Sequence, residues 1–293
     1  MMKRLLLFGS APQGEMATEL RDFVEGLRHL KVDVSVENQL AGEMNLADEW
    51  ATFNPEQLPP ADMAVSLGGD GTFLRTAAWG APCHLPILGI NTGHLGYLTA
   101  GHIKDWREII DEVLRGDYVL QQRTMLQAHC NGMEIAYPYA LNEVAIMHNG
   151  VMSVVAVRTW LNDTPLTTYS GDGLVMCTPT GSTAYNLSVG GPILEPTTQC
   201  LVLSPISPHS LSMRPVVIPD DTTITVQTSS QVGTYQLCLD GKTVICPSES
   251  RVVIRKAPFT AQVVQRRSAC FAVTLRNKLH WGTETLRDQM KNG

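Results

Sequence analysis

Residues 68 to 72 read Gly68-Gly69-Asp70-Gly71-Thr72, between the apolar run Met63 to Leu67 and a stretch, Phe73 to Trp79, that can continue as a helix. Glycines in such a turn remove the Cβ atoms that would hold a polyphosphate off the backbone. The first amides of the helix then offer unpaired donors at a positive dipole end. The geometry suits phosphate and the aspartate does not. Beside phosphates a carboxylate repels unless it holds a metal or takes a proton from a nucleophile, and both roles belong to phosphoryl transfer. The bland alternative is an Asx turn that only shapes the loop.

A second glycine-rich block runs from Gly171 to Pro192. Its Thr180-Gly181-Ser182-Thr183 stretch offers hydroxyls and backbone donors at what reads as another helix start, and Tyr185 is placed to stack on a planar ring. Asp172, between two glycines, can accept from a ribose or an amide, or serve as an ordinary turn residue. Ser182 and Thr183 can equally be helix caps and Tyr185 plain core. A Gly-x-Ser-x-Gly elbow is absent, so neither hydroxyl reads as a hydrolase nucleophile.

The elements that carry these turns follow from periodicity. Leu5 to Gly9 is a short apolar strand; Met16, Leu20, Phe23, Val24, Leu27 and Leu30 share one helical face; Val32, Val34 and Val36 alternate as in a strand. A polar, proline-containing stretch then runs to Pro60 with no element assigned. Then come the strand ending at Leu67, the helix through Trp79, the strand Ile87 to Ile90 and a helix from Ile103 to Leu114 closed by Gly116. Alternating strands and helices predict a parallel, Rossmann-like α/β sheet that binds ligands at the carboxyl ends of its strands, where Gly68 to Thr72 would sit. Beyond about Asp117 strands dominate, with candidates at 128–130, 141–147, 151–161, 174–177, 216–218, 223–228 and 251–255. Asn131-Gly132, Asn162-Asp163 and Asp240-Gly241 read as hairpin turns, which predicts an all-β sandwich. The expected division is an α/β domain over 1–120, a β-sandwich over 121–272, and a tail, 273–293, that returns to the first domain.

Composition bounds the function. A chain of 293 residues with an apolar fraction of 44% can bury substantial cores. A net charge of −6 without clustered Lys and Arg excludes a nucleic-acid binder. An anionic small substrate would then need local cations or magnesium. No apolar run is long enough to span a membrane, which predicts a cytoplasmic protein with no membrane partner. The seven cysteines contain no Cys-x-x-Cys pair and predict reduced, mostly buried thiols. The eight histidines lack zinc-site spacing, so no resident metal is expected. Any metal would arrive with the substrate.

Four segments, two of them those above, make the chain resemble the NAD kinases of bacterial type. These are Gly-Gly-Asp-Gly at 68–71 and Asn-x-Gly-x-Leu-Gly at 91–96, with Asn142-Glu143 and the block from Asp172 to Pro192. The ending Leu275-Arg276-Asn277-Lys278-Leu279, followed by Trp281-Gly282, is similar as well. The resemblance implies an ATP-dependent phosphorylation of the 2′-hydroxyl of the adenosine ribose of NAD, giving NADP, with Mg²⁺ arriving with ATP. It makes Asp70 the general base and lays Gly71 against the dinucleotide. Asn142 and Glu143 would hold the adenosine part, and Asp172 would contact the nicotinamide end across a subunit boundary. Thr183, Ala184, Tyr185, Asn186 and Ser188 would line the adenine and ribose pocket. Arg75, one helical turn past the loop, would supply the cation beside phosphate. A homodimer or homotetramer is implied.

The chain departs from the family pattern at Tyr169-Ser170-Gly171 and at Ser153, where many members carry serine or basic residues. At 240–242 Asp-Gly-Lys stands where relatives place an aspartate and a ligand-contacting residue, which makes Lys242 a candidate although Asp-Gly is also a hairpin signal. The rivals are a lipid or sugar kinase built on the same turn, a dinucleotide sensor that spends no ATP, and a dehydrogenase. A dehydrogenase should carry Gly-x-Gly-x-x-Gly after the first strand, where this chain has Gly9-Ser10-Ala11-Pro12-Gln13-Gly14.

Overall fold

A computed structural model of the chain describes residues 4–93, 96–150, 154–279 and 281. His94 and Leu95, within the 91–96 motif, and Val151, Ser153 and Gly282 lie outside the described residues. The chain forms two compact units, one of residues 1–80, 85–121 and 263–293, the other of residues 81–84 and 122–262.

The first unit opens with β1 (Arg4–Gly9), α1 (Glu15–His29), β2 (Asp33–Glu37), α2 (Asn38–Met44), β3 (Ala51–Phe53), β4 (Met63–Leu67), α3 (Asp70–Gly80), β5 (Ile87–Asn91), β6 (Gly101–His102), α4 (Trp106–Arg115) and β7 (Tyr118–Arg123). β1, β2, β3, β4, β5 and β6 all pair in parallel. Both faces of such a sheet are covered, which is why β1, β4 and β5 are continuous apolar runs. α1 turns Leu20, Phe23, Val24 and Leu27 onto that sheet, where they join Leu5, Leu7, Met63, Val65 and Leu88 in one core. Each such fully buried side chain contributes roughly 1.5–3 kcal/mol.

The stretch to Pro60, to which the sequence reading assigned no element, contains α2 and β3. α2 has seven residues and buries only Leu40, Ala41 and Met44, too short a stripe for periodicity to reveal, and β3 exists because its register with β2 supplies the pairing. Ile103 to Leu114 divides into a 3-10 turn, Ile103–Asp105, and α4, whose end is closed by Gly116 at φ 75°.

The second unit holds β8 (Leu126–Cys130), β9 (Tyr139–Ala140), β10 (Glu143–His148), β11 (Val155–Leu161), β12 (Thr164–Gly171), β13 (Gly173–Cys177), α5 (Tyr185–Ser188), β14 (Cys200–Ile206), β15 (Val216–Pro219), β16 (Ile224–Ser230), β17 (Thr234–Leu239), β18 (Lys242–Pro247) and β19 (Arg251–Lys256). Its two six-stranded antiparallel sheets run β15-β14-β13-β10-β17-β18 and β12-β11-β16-β19-β8-β9. Their inner faces share a core that includes Val144, Ile146, Val157, Leu174, Met176, Leu201, Val226, Tyr235, Leu237 and Ile254. β12 and β14 had no sequence counterpart. β14 is buried along its whole length, so it lacks alternation, and Pro205 inside it obscures its type. Asp163 and Gly241 take positive φ in two-residue hairpins, as Asn-Asp and Asp-Gly predict.

After the sandwich come β20 (Ala261–Arg266) and α6 (Phe271–Leu279). β20 pairs in parallel with β5, and the eight-stranded sheet runs β3-β2-β1-β4-β5-β20-β7 with β6 beside β5. The chain therefore rejoins the first unit at Val263, ten residues ahead of the boundary expected at 273. A new strand on a parallel sheet buries more backbone and apolar surface than a docked tail.

Candidate functional site

In the first unit the order β3-β2-β1-β4-β5 reverses direction between β1 and β4, which opens a crevice at their carboxyl ends. Asp70 stands there as the first residue of α3. Gly68 is required by the protein itself: its φ is 155° and an added Cβ would overlap the Thr72 side chain. At Gly69 and Gly71 an added Cβ would meet nothing within 4 Å. Internal packing does not demand those two glycines, and their bare backbone leaves room for a ligand to approach closely.

The Asp70 carboxylate accepts from the amides of Tyr97 (2.7 Å to Oδ2) and Leu98 (2.9 Å to Oδ1). A carboxylate has about four lone-pair positions, so acceptor capacity remains after two amide bonds. This contact explains the last glycine of the 91–96 motif, since a Cβ on Gly96 would overlap the Asp70 carboxylate. Lys278, on α6, reaches the same loop and donates to the carbonyls of Tyr97 (3.3 Å) and Thr99 (3.2 Å).

Arg75 does not stand free. Its guanidinium forks onto Glu37, with Nη1 on Oε1 and Nη2 on Oε2 at 2.8 Å, and also donates to the Gly9 carbonyl at 3.0 Å. Glu37 is buried at the end of β2 and accepts from the Gly9 amide. A buried acid on the neighbouring strand thus takes two of the arginine's five donors and the Gly9 carbonyl a third, and these bonds tie the carboxyl ends of β1 and β2 to α3.

In the second unit a bend at Leu141–Glu143 leads into β10. Asp240, in the β17–β18 turn, accepts from all three amides, Leu141 at 2.7 Å, Asn142 at 2.9 Å and Glu143 at 3.1 Å. From the other side Thr178 donates its hydroxyl to the Leu141 carbonyl at 2.6 Å and its amide to the Asn142 carbonyl at 2.9 Å. The backbone is consumed and the side chains are not: Asn142 Oδ1 and Glu143 Oε2 are buried without a hydrogen-bond partner. Such atoms cost about 1–3 kcal/mol each unless something fills their valence. Burial, reinforced by the charge of Asp240, pushes the Glu143 carboxyl up to about 8, against the Tyr185 amide that stabilises its charged form. Burial also raises Asp240, to about 6, with the three amides and Lys242 opposing.

The block at 180–188 is a 3-10 turn, Thr180–Thr183, followed by α5. The helix start expected there is a single turn of four residues. Its donors are spent locally, Gly181 N on Thr178 Oγ1 and Ala184 N on Gly181 O, because Gly181 packs so tightly on Asn142 that a Cβ would overlap its carbonyl. Ser182 is fully buried and bridges Pro179 O and Leu194 N, and Thr183 Oγ1 reaches Thr180 O. Asn186 is fully buried too, donating to Ser182 O and Pro192 O and accepting from Ser204 Oγ. Its polar atoms hold the turn closed. Ala184 is half-buried and Ser188 exposed.

Tyr185 is half-buried over β10, with its hydroxyl toward Met147 Sδ. Burial raises its phenol, as do the nearby charges of Asp172 and Glu143, so these three groups share one neighbourhood. Lys242 is exposed and lies 5.0 Å from the Tyr137 ring centroid. Three residues that matter here escaped sequence reading. Asp240 was hidden by its own turn signal, Glu37 reads as a strand-ending acid, and Lys278 was legible only as part of a closing motif.

Among the described residues no group of three or more His, Cys, Asp or Glu side chains could hold a metal ion. All seven cysteines are free, four of them buried. No described helix is long and apolar enough to cross a membrane, which says nothing of a β-barrel.

A parallel sheet with an aspartate at its switch-point turn, joined in one chain to a sandwich presenting an unpaired Asn-Glu, defines a nucleotide-handling phosphotransferase. The family models agree with that class, and with one family in it: the ATP-NAD kinase N-terminal domain matches residues 13–118 and the ATP-NAD kinase C-terminal domain residues 141–266. The NAD kinase of Porphyromonas gingivalis is 38% identical over 289 residues, covering 96% of this chain and 99% of that protein. That of Bacteroides fragilis is 43% identical over 226 residues, 77% of this chain and 78% of that protein. The chain belongs to the NAD kinase family.

Solved structures carry the fold as well. An NAD kinase from Archaeoglobus fulgidus in complex with ATP is 26% identical with a TM-score of 0.70, over 90% of this chain and 94% of that one. Yeast NADH kinase complexed with NADH shares the fold at 22% identity with a TM-score of 0.87, over 97% of this chain and 89% of that one.

Proposed function

We propose that this protein transfers the γ-phosphoryl group of ATP to the 2′-hydroxyl of the adenosine ribose of NAD, giving NADP, with Asp70 as the general base. The observation that carries this reading is the Asp70 turn. Two glycines with open space where their Cβ atoms would stand flank a carboxylate whose orientation is fixed by two amides of another loop. Family membership supplies the substrates.

The ribose hydroxyl is a poor nucleophile at neutral pH, so its proton must leave as attack develops. Asp70 is pre-oriented to take it with its remaining lone pairs, which spares reorganisation at the moment of reaction. Gly71 lets the dinucleotide lie against the backbone. Asn142 and Glu143 bind adenosine with the atoms left unpaired, and a Glu143 carboxyl that titrates near 8 is protonated at neutral pH and donates as well as accepts. Asp172, Thr183, Ala184, Tyr185 and Ser188 line the rest of the dinucleotide site, with Tyr185 stacking and Asp172 at the nicotinamide end. Arg75 acts on phosphate through the turn that its pair with Glu37 stiffens, and Lys242 at the site's edge.

Mg²⁺ would arrive as a guest of ATP, held by phosphate oxygens and its own waters rather than by a dedicated protein cage, which leaves the Asp70 carboxylate to act as the base. When bound it neutralises charge on the transferring phosphate. Free, mostly buried thiols support a reducing cytoplasmic setting, and the family resemblance supports a homodimer or homotetramer.

The test is NADP formation from NAD and ATP with magnesium, by wild-type and Asp70→Asn protein, with calorimetric NAD binding to both. The variant should fold, bind NAD, and lose about 100-fold to 10,000-fold in kcat. Normal turnover in Asp70→Asn would remove the base assignment. NAD binding without turnover in the wild type would make the protein a sensor.

A further inference from the structure

Lys278 is the cation that the mechanism above leaves unused. No residue of its helix, α6, is buried, so packing alone does not hold α6 in place. The lysine itself is half-buried. Its ammonium donates to the carbonyls of Tyr97 and Thr99, 3.3 and 3.2 Å away, and lies 5.9 Å from the Tyr97 ring centroid. The amides of Tyr97 and Leu98 are the two that grip Asp70. The Tyr97–Leu98 peptide is therefore held at both ends of its dipole, with the Asp70 carboxylate on its N–H and the Lys278 ammonium on its C=O. Charge-assisted hydrogen bonds of this kind are about twice as strong as neutral ones, and each polarises the peptide toward the other. Desolvation lowers the Lys278 ammonium's pKa while the charge of Asp70 opposes that fall, which places the two groups in electrostatic reach of one another.

We propose that Lys278 is a positioning residue for Asp70: it fixes the Gly96–Thr99 loop so that the Tyr97 and Leu98 amides aim the carboxylate, making the last helix part of the catalytic apparatus. This deepens the NAD kinase reading and rests on it for the reaction, though not for the geometry. A general base misplaced by about 1 Å loses about 100-fold in rate, so a loop tether can matter as much as a direct contact.

The experiment compares wild-type, Lys278→Ala and Lys278→Arg proteins for kcat, for KM of NAD and ATP, and for calorimetric NAD binding. Each substitution is repeated in the Asp70→Asn background. Lys278→Ala should lower kcat about 10-fold to 100-fold with NAD affinity kept, and Lys278→Arg should recover part of the loss. In Asp70→Asn protein the same change should cost nothing further, because the group it positions is gone. An unchanged kcat in Lys278→Ala, or an equal loss in both backgrounds, would overturn the proposal. Amide hydrogen exchange at Tyr97 and Leu98 separates this inference from the functional reading. If the wild type proves inert toward NAD and ATP, faster exchange in Lys278→Ala still supports the tether, and unchanged exchange overturns it. Should Lys278→Ala fail to fold, Lys278→Gln carries the same comparison.

Discussion

Asp70 and Asp240 do the same thing to the backbone and serve opposite ends. Each carboxylate accepts from consecutive amides of a distant segment, two at Tyr97–Leu98 for Asp70 and three at Leu141–Glu143 for Asp240. At Asp70 the amides are the support, and in the proposed mechanism the carboxylate they hold is the reagent. At Asp240 the carboxylate is the support, and the side chains of the gripped segment, Asn142 and Glu143, are left with unfilled valence. An aspartate in a glycine turn can thus be either the tool or the clamp, and what separates the two is where unpaired polar atoms remain.

The comparison breaks most visibly at Gly96. A Cβ there would overlap the Asp70 carboxylate, so Gly96→Ala should displace the reagent without touching the clamp. The expected outcome is a kcat lower by about 100-fold with NAD affinity kept. Unaltered steady-state kinetics would show that the loop does not set the carboxylate's position.

Asp240→Asn attacks the other region. It replaces one accepting oxygen with a donor, so that at least the Leu141 amide, which donates to Oδ2, meets an N–H in place of an acceptor, and this costs about 1–3 kcal/mol of stability. Because the bend presents Asn142 and Glu143, NAD binding should weaken about 10-fold while kcat at saturation changes little, the reverse of Gly96→Ala. Denaturant unfolding and calorimetry read both quantities. A fall in kcat alone would place Asp240 with the reagents.

The smallest effect is a slope. Glu143 is raised from 4.5 to about 8 in the folded protein, so the native state holds a proton there that the unfolded chain releases. Its favourable contribution is present below 4.5 and is lost as pH rises through 8. Glu143→Gln removes that titration. The variant should gain Tm relative to wild type as pH goes from 5 to 8, and lose NAD affinity. Parallel melting curves across that range would show that Glu143 is not buried as a neutral acid.

Legibility differed between the two regions for physical reasons. Gly68-Gly69-Asp70-Gly71-Thr72 is contiguous, and its neighbours Met63–Leu67 and α3 are strongly patterned, so both the site and the elements holding it were visible in the chain. The bend at 141–143 depends on Asp240 and Thr178, 97 and 36 residues away in their closest contacts. Asp240 also satisfies a local rule, the Asp-Gly hairpin, which concealed its long-range role. Arg75 gave a correct helix position and an incomplete environment, because nothing local reveals that Glu37 faces it from another strand.

The sequence by itself determined the parallel sheet, the hairpin turns, the glycine turn with its aspartate, and the family, since these rest on periodicity, on backbone freedom at glycine and on contiguous motifs. Only the tertiary structure decided which aspartate is gripped and which grips. It alone closed Asn186 into the turn, set Arg75 on Glu37, brought β20 into the first sheet and set Lys278 on the loop behind Asp70. Apart from Asn186, whose farthest partner Ser204 is 18 residues away, these depend on hydrogen bonds or strand pairings between segments tens to hundreds of residues apart, and free energy of that kind exists only once the chain has folded.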